Sequence, residues 1–285
     1  HPPGEFLVLD HLLHELRLFK SAGEIKLMEQ AAKISAEGHK RAMACCKPGI
    51  REYEMEAELL YAFTRNGSRA PAYNSIVAAG ENACILHYNT NNAEVKEGDL
   101  VLIDAGCEYE YYASDITRTF PASGKFSKEQ KAIYELVLAA QDAAIAAVAP
   151  GVSWDEPHNA SVKVITQGLV KLGLLKGKVS QLIKAEAYRD FYMHRVGHWI
   201  GMDVHDVGDY KIDDHWRLLE PGMVTTIEPG IYISPDNKKV EKRWRGIGVR
   251  IEDDVVVTKQ GHKILSKGIP KTVAEIESFM SSAVH

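Results

Sequence analysis

Carboxylates set in apolar, strand-like stretches constrain this chain more than any other feature. Asp104 lies in LVLIDAG, Asp115 in YASDITRTF, Glu228 at the end of MVTTIE and Glu252 in GVRIEDD. Such residues are normally kept out of apolar strands, because a buried charge is unfavourable unless a cation or partner compensates it. A fifth residue, His198, sits between glycines in VGHWIG, where another backbone can approach closely. Four carboxylates and one imidazole suit hard divalent ions such as manganese better than a structural zinc site, which favours thiolates. The pattern therefore reads as a site for two metal ions side by side.

Local spacing sharpens this reading. A hairpin turning at Tyr109-Glu110 would set Asp104 opposite Asp115, about 5 Å apart on one face. Two like charges that close repel unless a cation sits between them. Arg250 precedes Glu252 by two positions and shares its strand face. His194 and His205 flank His198, and Asp206 follows. The His194/His198 spacing lacks the central Glu of a zincin helix, and the region reads as non-helical.

Two metal ions would polarise a carbonyl and lower the pKa of a water molecule. Glu228, a ligand with some freedom, could relay a proton to a leaving nitrogen. His87, His194 and His205 are candidates to donate to a developing oxyanion. The chain shows no Gly-rich phosphate loop, nucleophile elbow or reactive-cysteine context, which argues against kinases, serine hydrolases and thiol proteases.

Capping boxes mark the helices. Ser21/Glu24 opens one that runs to about Cys46, before Pro48-Gly49. A second spans roughly Glu52 to Arg65. Ser127/Gln130 opens a third, Ser153/Glu156 a fourth ending near Gly173, and Thr272/Glu275 a last one. Strand-like stretches are SIVAAG, ACILHY, LVLIDAG and a run reaching TRTFP, with a further strand-rich region over about 192–258. Helix, Pro-Gly, helix, strands occurs twice, at Pro48-Gly49 and Pro150-Gly151. This points to a duplicated α+β half, with two helix pairs covering a joined antiparallel sheet. Asp104 and Asp115 then come from the first half and His198, Glu228 and Glu252 from the second. The metals fall in the seam between halves, where pockets tend to form.

Composition narrows the partners. The net charge of −5 has both signs interspersed, and no basic stripe suggests nucleic acid. No apolar run reaches the ~18 residues of a membrane span. No signal-peptide pattern is seen. Cys45, Cys46, Cys84 and Cys107 form no zinc-knuckle spacing and are expected to be reduced thiols in the cytoplasm.

The order Asp104, Asp115, His198, Glu228, Glu252 resembles the dinuclear metallopeptidases of the methionine aminopeptidase and prolidase group. The run HRVGHWIGMDVHD, residues 194–206, resembles the proline-peptidase signature. YNSIVAAGEN, CILHY, VLIDAGCEYEYYASDITRTFP, LEPGMVTTIEPGIYI and RGIGVRIEDDVVVT resemble the bacterial Xaa-Pro aminopeptidases. The resemblance runs from about Glu15 to Met280. It implies the pita-bread fold, in which duplicated αα-β halves surround a curved antiparallel sheet. It implies two divalent ions, most often manganese, with zinc or cobalt as other occupants. By motif position, Asp104 is a two-oxygen ligand of one ion, His198 and Glu228 bind the other, and Asp115 and Glu252 bridge. His87, His194 and His205 match substrate-site histidines, Arg250 an arginine supporting the ligands, and Tyr232 a pocket residue. The implied reaction is release of the N-terminal residue when proline follows it. A prolidase-type dipeptidase and a peptidase-like binding module without catalysis are the other readings. Residues 1–19 are expected to be a linker remnant and lead-in, and 20–285 the catalytic domain, without the N-terminal domain of the family. Homo-oligomers are compatible with this reading.

Overall fold

The structure, a computed structural model, describes residues 9–283. The chain opens with helices α1 (Asp10–Leu18), α2 (Ala22–Cys45) and α3 (Glu52–Arg65). Strands β1 (Ala70–Pro71), β2 (Ile76–Ala79), β3 (Leu100–Asp104), β4 (Cys107–Tyr109), β5 (Tyr112–Ala113) and β6 (Thr117–Pro121) follow. The second half repeats the order with α4 (Lys128–Ala146), α5 (Glu156–Lys171) and the short α6 (Val179–Lys184). Its strands are β7 (Lys211–Ile212), β8 (His215–Trp216), β9 (Val224–Ile227), β10 (Gly230–Tyr232), β11 (Gly248–Arg250), β12 (Asp253–Thr258) and β13 (Gly261–Ile264), before α7 (Val273–Ala283). This is the expected α+β pita-bread architecture.

Three of the four expected capping boxes form. Ser21 accepts from the Glu24 N–H while the Glu24 carboxylate takes the Ser21 N–H, and Ser127/Gln130 and Thr272/Glu275 do the same. The Ser153/Glu156 box does not form. Ser153 Oγ donates instead to Asp155 Oδ1 at 2.7 Å, and α5 starts at Glu156 with a proline in its first turn. The stretch ACILHY is not a strand. Gly80–Cys84 is a 3-10 turn, and buried Glu52 holds the surrounding loop by accepting from the Ala79 and Ala93 N–H groups, Asn82 and Tyr88. Residues 192–208 likewise hold no strand, only a bridge from Trp199 to Thr225. Part of the expected lead-in is also helical. The α1 helix is tied down by Arg17–Asp206, Arg17–Asp203 and Arg217–Glu15 pairs, and Leu18 packs in a core with Trp199 and Met223; residues 1–8 lie outside the described residues.

Both halves build an antiparallel three-stranded ladder, β2-β3-β6 and β9-β12-β13. One main core collects Ile34, Met55 and Phe63 from the first helix pair and Ile133, Val137 and Ile165 from the second. These pack on Val101, Ile103, Phe120, Val249 and Ile251. Alternation along a strand then dictates the rest. Odd positions of β3 face the helices, so Leu102 and Asp104 face the other way. In β6, Phe120 faces the helices, so Thr117 and Thr119 face the cleft. In β11 and its extension, Val249 and Ile251 face the helices, and Arg250 and Glu252 face the cleft.

The seam is stitched by few but buried bonds. The Glu252 N–H donates to the Thr117 carbonyl at 3.1 Å, and Thr119 Oγ1 donates to the Arg250 carbonyl at 2.9 Å. Arg118 and Asp253, 2% and 1% exposed, form an ion pair across it at 2.8 Å. Removing one partner of such a buried pair leaves an uncompensated charge.

Candidate metal centre

The first half delivers two carboxylates. Asp104 ends β3, and Asp115 precedes β6 by two residues. Their register differs from the expected one. Asp104 faces Thr117, because the hairpin turns at Glu110-Tyr111, one residue later than the sequence suggests. Both turn residues are left-handed, at φ 48° and 70°. Moving a turn by one residue shifts each partner by two, so Asp115 keeps its face and becomes a diagonal neighbour of Asp104.

The second half mirrors this plan. Glu228 directly follows β9, and Glu252 directly precedes β12. Extending the Ile227–Asp253 pairing by one residue sets them opposite each other. His198 enters from the loop beside β9, where its N–H donates to Thr226 Oγ1 and its carbonyl accepts from the Thr226 N–H. Gly197 permits this approach, since a Cβ there would stand 1.9 Å from the Thr226 carbonyl oxygen. His198 Nδ1 donates to the Trp199 carbonyl at 3.0 Å. That bond turns Nε2 toward Asp115 Oδ2, 3.3 Å away, and Glu228 Oε1, 3.5 Å away.

Asp115, His198 and Glu252 each place a ligand atom within 4.8 Å of the others. Glu228 adjoins this trio through His198. Asp104 adjoins it through Tyr73, whose hydroxyl lies 2.6 Å from Asp104 Oδ1 and 2.5 Å from Asp115 Oδ1. Arg250 donates to Asp104 Oδ2 at 2.6 Å, and Thr117 Oγ1 donates to Glu252 Oε2 at 2.5 Å. All five predicted ligands therefore converge, two from one half and three from the other.

The electrostatics show a site that calls for positive charge. Burial raises the Glu228 carboxyl to about 7, despite the His198 and Arg250 charges. Burial, then the charges of Asp115, Glu228 and Asp104, push Glu252 well above the usual carboxylate range. Asp104 is raised by burial against the opposing pull of Arg250. Burial would also raise Asp115, but its hydrogen bond with His198 holds it below the ordinary value. Burial opposes the His198 charge, yet Asp115 and Glu228 lift the imidazole to about 9. Four carboxylates in one dry cleft cannot all ionise without cations. With one imidazole and no thiolate, the donor set fits hard or borderline divalent ions.

A cavity of about 240 Å³ opens on this group, lined by all five residues with His87, His194, Arg195, His205 and Arg250. A second cavity of about 210 Å³, lined by Tyr73, Ile76, His87, Val204 and His205, adjoins it at Asp104 and Asp115. The His205 ring meets His198 edge-on at 4.3 Å. His87 is exposed at the mouth. His194 stands differently from expectation. Its Nδ1 bonds the Arg195 carbonyl at 2.7 Å and its Nε2 the Tyr232 hydroxyl at 2.8 Å, so neither nitrogen is spare for an oxyanion. Burial and then Arg250 depress this ring to about 3. Tyr232 is not a pocket wall. It is 2% exposed, and it links Arg250 Nη1, 3.0 Å away, to His194. Arg250 does line the cavity but is engaged by Asp104, Tyr232 and Thr117.

Three supporting residues carry no motif of their own in the sequence. Tyr73 opens YNSIVAAGEN, Thr117 lies in TRTF, and Asp254 accepts the Asp115 N–H at 3.1 Å. The apolar segment around Thr117, with a hydroxyl on the Asp115 face, was the available signal.

Metallopeptidase family M24 matches residues 26–259 of the chain. The Xaa-Pro aminopeptidase of Haemophilus influenzae is 55% identical over 278 residues, covering 98% of this chain and 64% of the relative. The Xaa-Pro dipeptidase of Mus musculus is 39% identical over 315 residues, covering 98% of this chain and 64% of the relative. The solved structure of Pseudomonas aeruginosa aminopeptidase PepP superposes with a TM-score of 0.99 at 65% identity, covering 99% of this chain and 64% of that one. The chain thus spans a little under two thirds of the length of these proteins.

Proposed function

The chain belongs to metallopeptidase family M24, and from that premise we propose that it carries the catalytic machinery of an Xaa-Pro aminopeptidase. The substrate is a peptide with proline second, and the product is its free N-terminal residue. The observation that carries this reading is the convergence of Asp104, Asp115, His198, Glu228 and Glu252 on one cavity at the seam. Identity of 55% to an Xaa-Pro aminopeptidase against 39% to an Xaa-Pro dipeptidase supports the choice of substrate.

Two divalent ions, manganese in our reading, would be held by Asp104 on one side and by His198 and Glu228 on the other, with Asp115 and Glu252 between. Such ions supply Lewis acidity and a reactive water at neutral pH. The protein's own groups do the remaining work. Arg250 and Tyr73 fix Asp104, Thr117 fixes Glu252, and the Trp199 carbonyl fixes the His198 tautomer. Glu228, with a long bond from Thr226 at 3.4 Å and His198 Nε2 at 3.5 Å, takes up a proton and passes it to the leaving nitrogen. His205 and His87 face the cavity and donate to the oxygen that gains charge. An Xaa-Pro bond has no N–H and restricted rotation, so it suits a site that needs only the carbonyl and room for the ring.

We take residues 20–285 as the catalytic domain and 1–19 as its lead-in, with α1 packed onto it. We place the protein in the cytoplasm, as a peptide-processing enzyme without nucleic-acid or membrane partners. Four free cysteines support that compartment, and no helix among the described residues is long and apolar enough to cross a membrane. Whether it self-associates is read by sedimentation.

The test uses chelator-stripped protein reloaded with manganese and assayed on Ala-Pro-Leu, Ala-Pro and Ala-Ala-Leu. Rapid release of alanine from Ala-Pro-Leu alone is expected. Equal or faster cleavage of Ala-Pro replaces the reading with prolidase. Absence of manganese uptake by calorimetry replaces it with a binding module.

A further inference from the structure

Arg195 lines the cavity that holds the five ligands. Its guanidinium lies over the Trp154 ring at 5.2 Å and over the Trp216 ring at 4.7 Å. Lys211, on the β7–β8 hairpin, sits 4.6 Å from the same Trp216 ring and adds a second positive charge beside it. Stacking on aromatic faces positions a guanidinium without using its N–H groups. Among the described residues the Arg195 guanidinium makes no hydrogen bond or ion pair, and Asp155 acts on it only through space. The contrast with Arg250 is direct. That side chain is 3% exposed, and its donors go to Asp104, Tyr232 and Thr117.

Five donors in a planar fork, held at the mouth of an acidic cavity, match a carboxylate better than a neutral carbonyl. The reacting carbonyl has to reach the five residues at the floor, so a group held by exposed Arg195 at the mouth lies at the opposite end of the ligand from it. We propose that Arg195 is a specificity-determining residue that binds a carboxylate on the leaving side of the peptide, beyond proline. The C-terminus of a short peptide and an acidic side chain both present that group. The inference rests on the peptidase reading and deepens it by naming what the far end of the substrate must carry.

Binding is read directly on the manganese-loaded protein, by calorimetric titration with Pro-Leu, Pro-Leu-amide and Pro-Glu-amide. Wild type is expected to bind Pro-Leu about tenfold more tightly than Pro-Leu-amide, the scale of an exposed charge-assisted hydrogen bond. Arg195→Ala is expected to abolish that preference and Arg195→Lys to retain part of it. Recovery of tight binding by Pro-Glu-amide assigns the site to either source of carboxylate, and failure to recover assigns it to the chain terminus. The proposal is overturned if Arg195→Ala keeps the wild-type preference, if wild type shows none, or if neither Pro-Leu nor its amide binds. Hydrolysis of Ala-Pro-Leu is measured separately. Its absence sinks the peptidase reading, while the titration still decides the role of Arg195.

Discussion

His39 lies beneath Asp104 and Asp115 and provides a quantitative test of how that floor is held. It is fully buried on α2, with Nε2 2.9 Å from the carbonyl of Ala105, the residue after Asp104. Burial depresses the ring from the ordinary 6.5 to about 4. A group with a depressed folded pKa, when its neutral form is the buried one, stabilises the fold above its unfolded pKa. That contribution disappears as pH falls from 6.5 through about 4. At pH 5 the unfolded ring is protonated and the folded ring is still neutral. The 1.5 units between pH 6.5 and 5 correspond to about 2 kcal/mol lost relative to pH 7. His39→Gln keeps an amide donor for Ala105 and cannot titrate. Urea unfolding in EDTA at pH 7 and pH 5 excludes ion release from the comparison. Wild type should lose about 2 kcal/mol more between the two pH values than the variant does. His158 and His194, also depressed by burial, are common to both proteins and cancel. An offset in the variant's absolute stability leaves the comparison intact. Equal pH dependence in the two proteins would refute the argument that a neutral, desolvated His39 supports the site.

Asp115→Ala removes the carboxylate nearest His198, and calorimetry should show manganese affinity falling by more than about 100-fold, since even supporting residues change metal affinity by 10–100-fold. Activity surviving that change contradicts the bridging role. Gly197→Ala drives a Cβ into the Thr226 carbonyl, and denaturant unfolding should show a loss of about 3 kcal/mol. Tyr73→Phe deletes the hydroxyl shared by Asp104 and Asp115, and manganese affinity and kcat on Ala-Pro-Leu should each fall about tenfold.

The convergent acidic residues were legible in the sequence because charge in an apolar strand is rare, and alternation then forces Asp104, Glu252 and Arg250 onto one face. Helix starts were legible where a Ser or Thr had a free hydroxyl for the N3 amide. Ser153 failed because its hydroxyl goes to Asp155. The hairpin register was missed because Glu110 and Tyr111 adopt left-handed backbone without the Gly or Asn that usually marks it. Tyr73, Glu52 and Asp254 were missed for another reason. Each acts through partners far away in sequence, such as Glu52 on Ala93 and Asp254 on Asp115. No local pattern encodes such a bond. The α1 helix was hidden in the same way, since its anchors are Asp206 and Arg217.

The stitched boundary between the lobes has a consequence for how the protein fails. The amide of Asp115 rests on Asp254, and that of Glu252 on Thr117, so the segments that carry these two acidic groups also span the joint. Cations held there would act as a clasp. Withdrawing them in a metal-poor medium would leave Glu228 and Glu252 to take up protons, and the charge that ties the lobes together would be lost. Amide hydrogen exchange at residues 115 and 252 then becomes a gauge of occupancy, slow while the clasp is closed and fast once it opens.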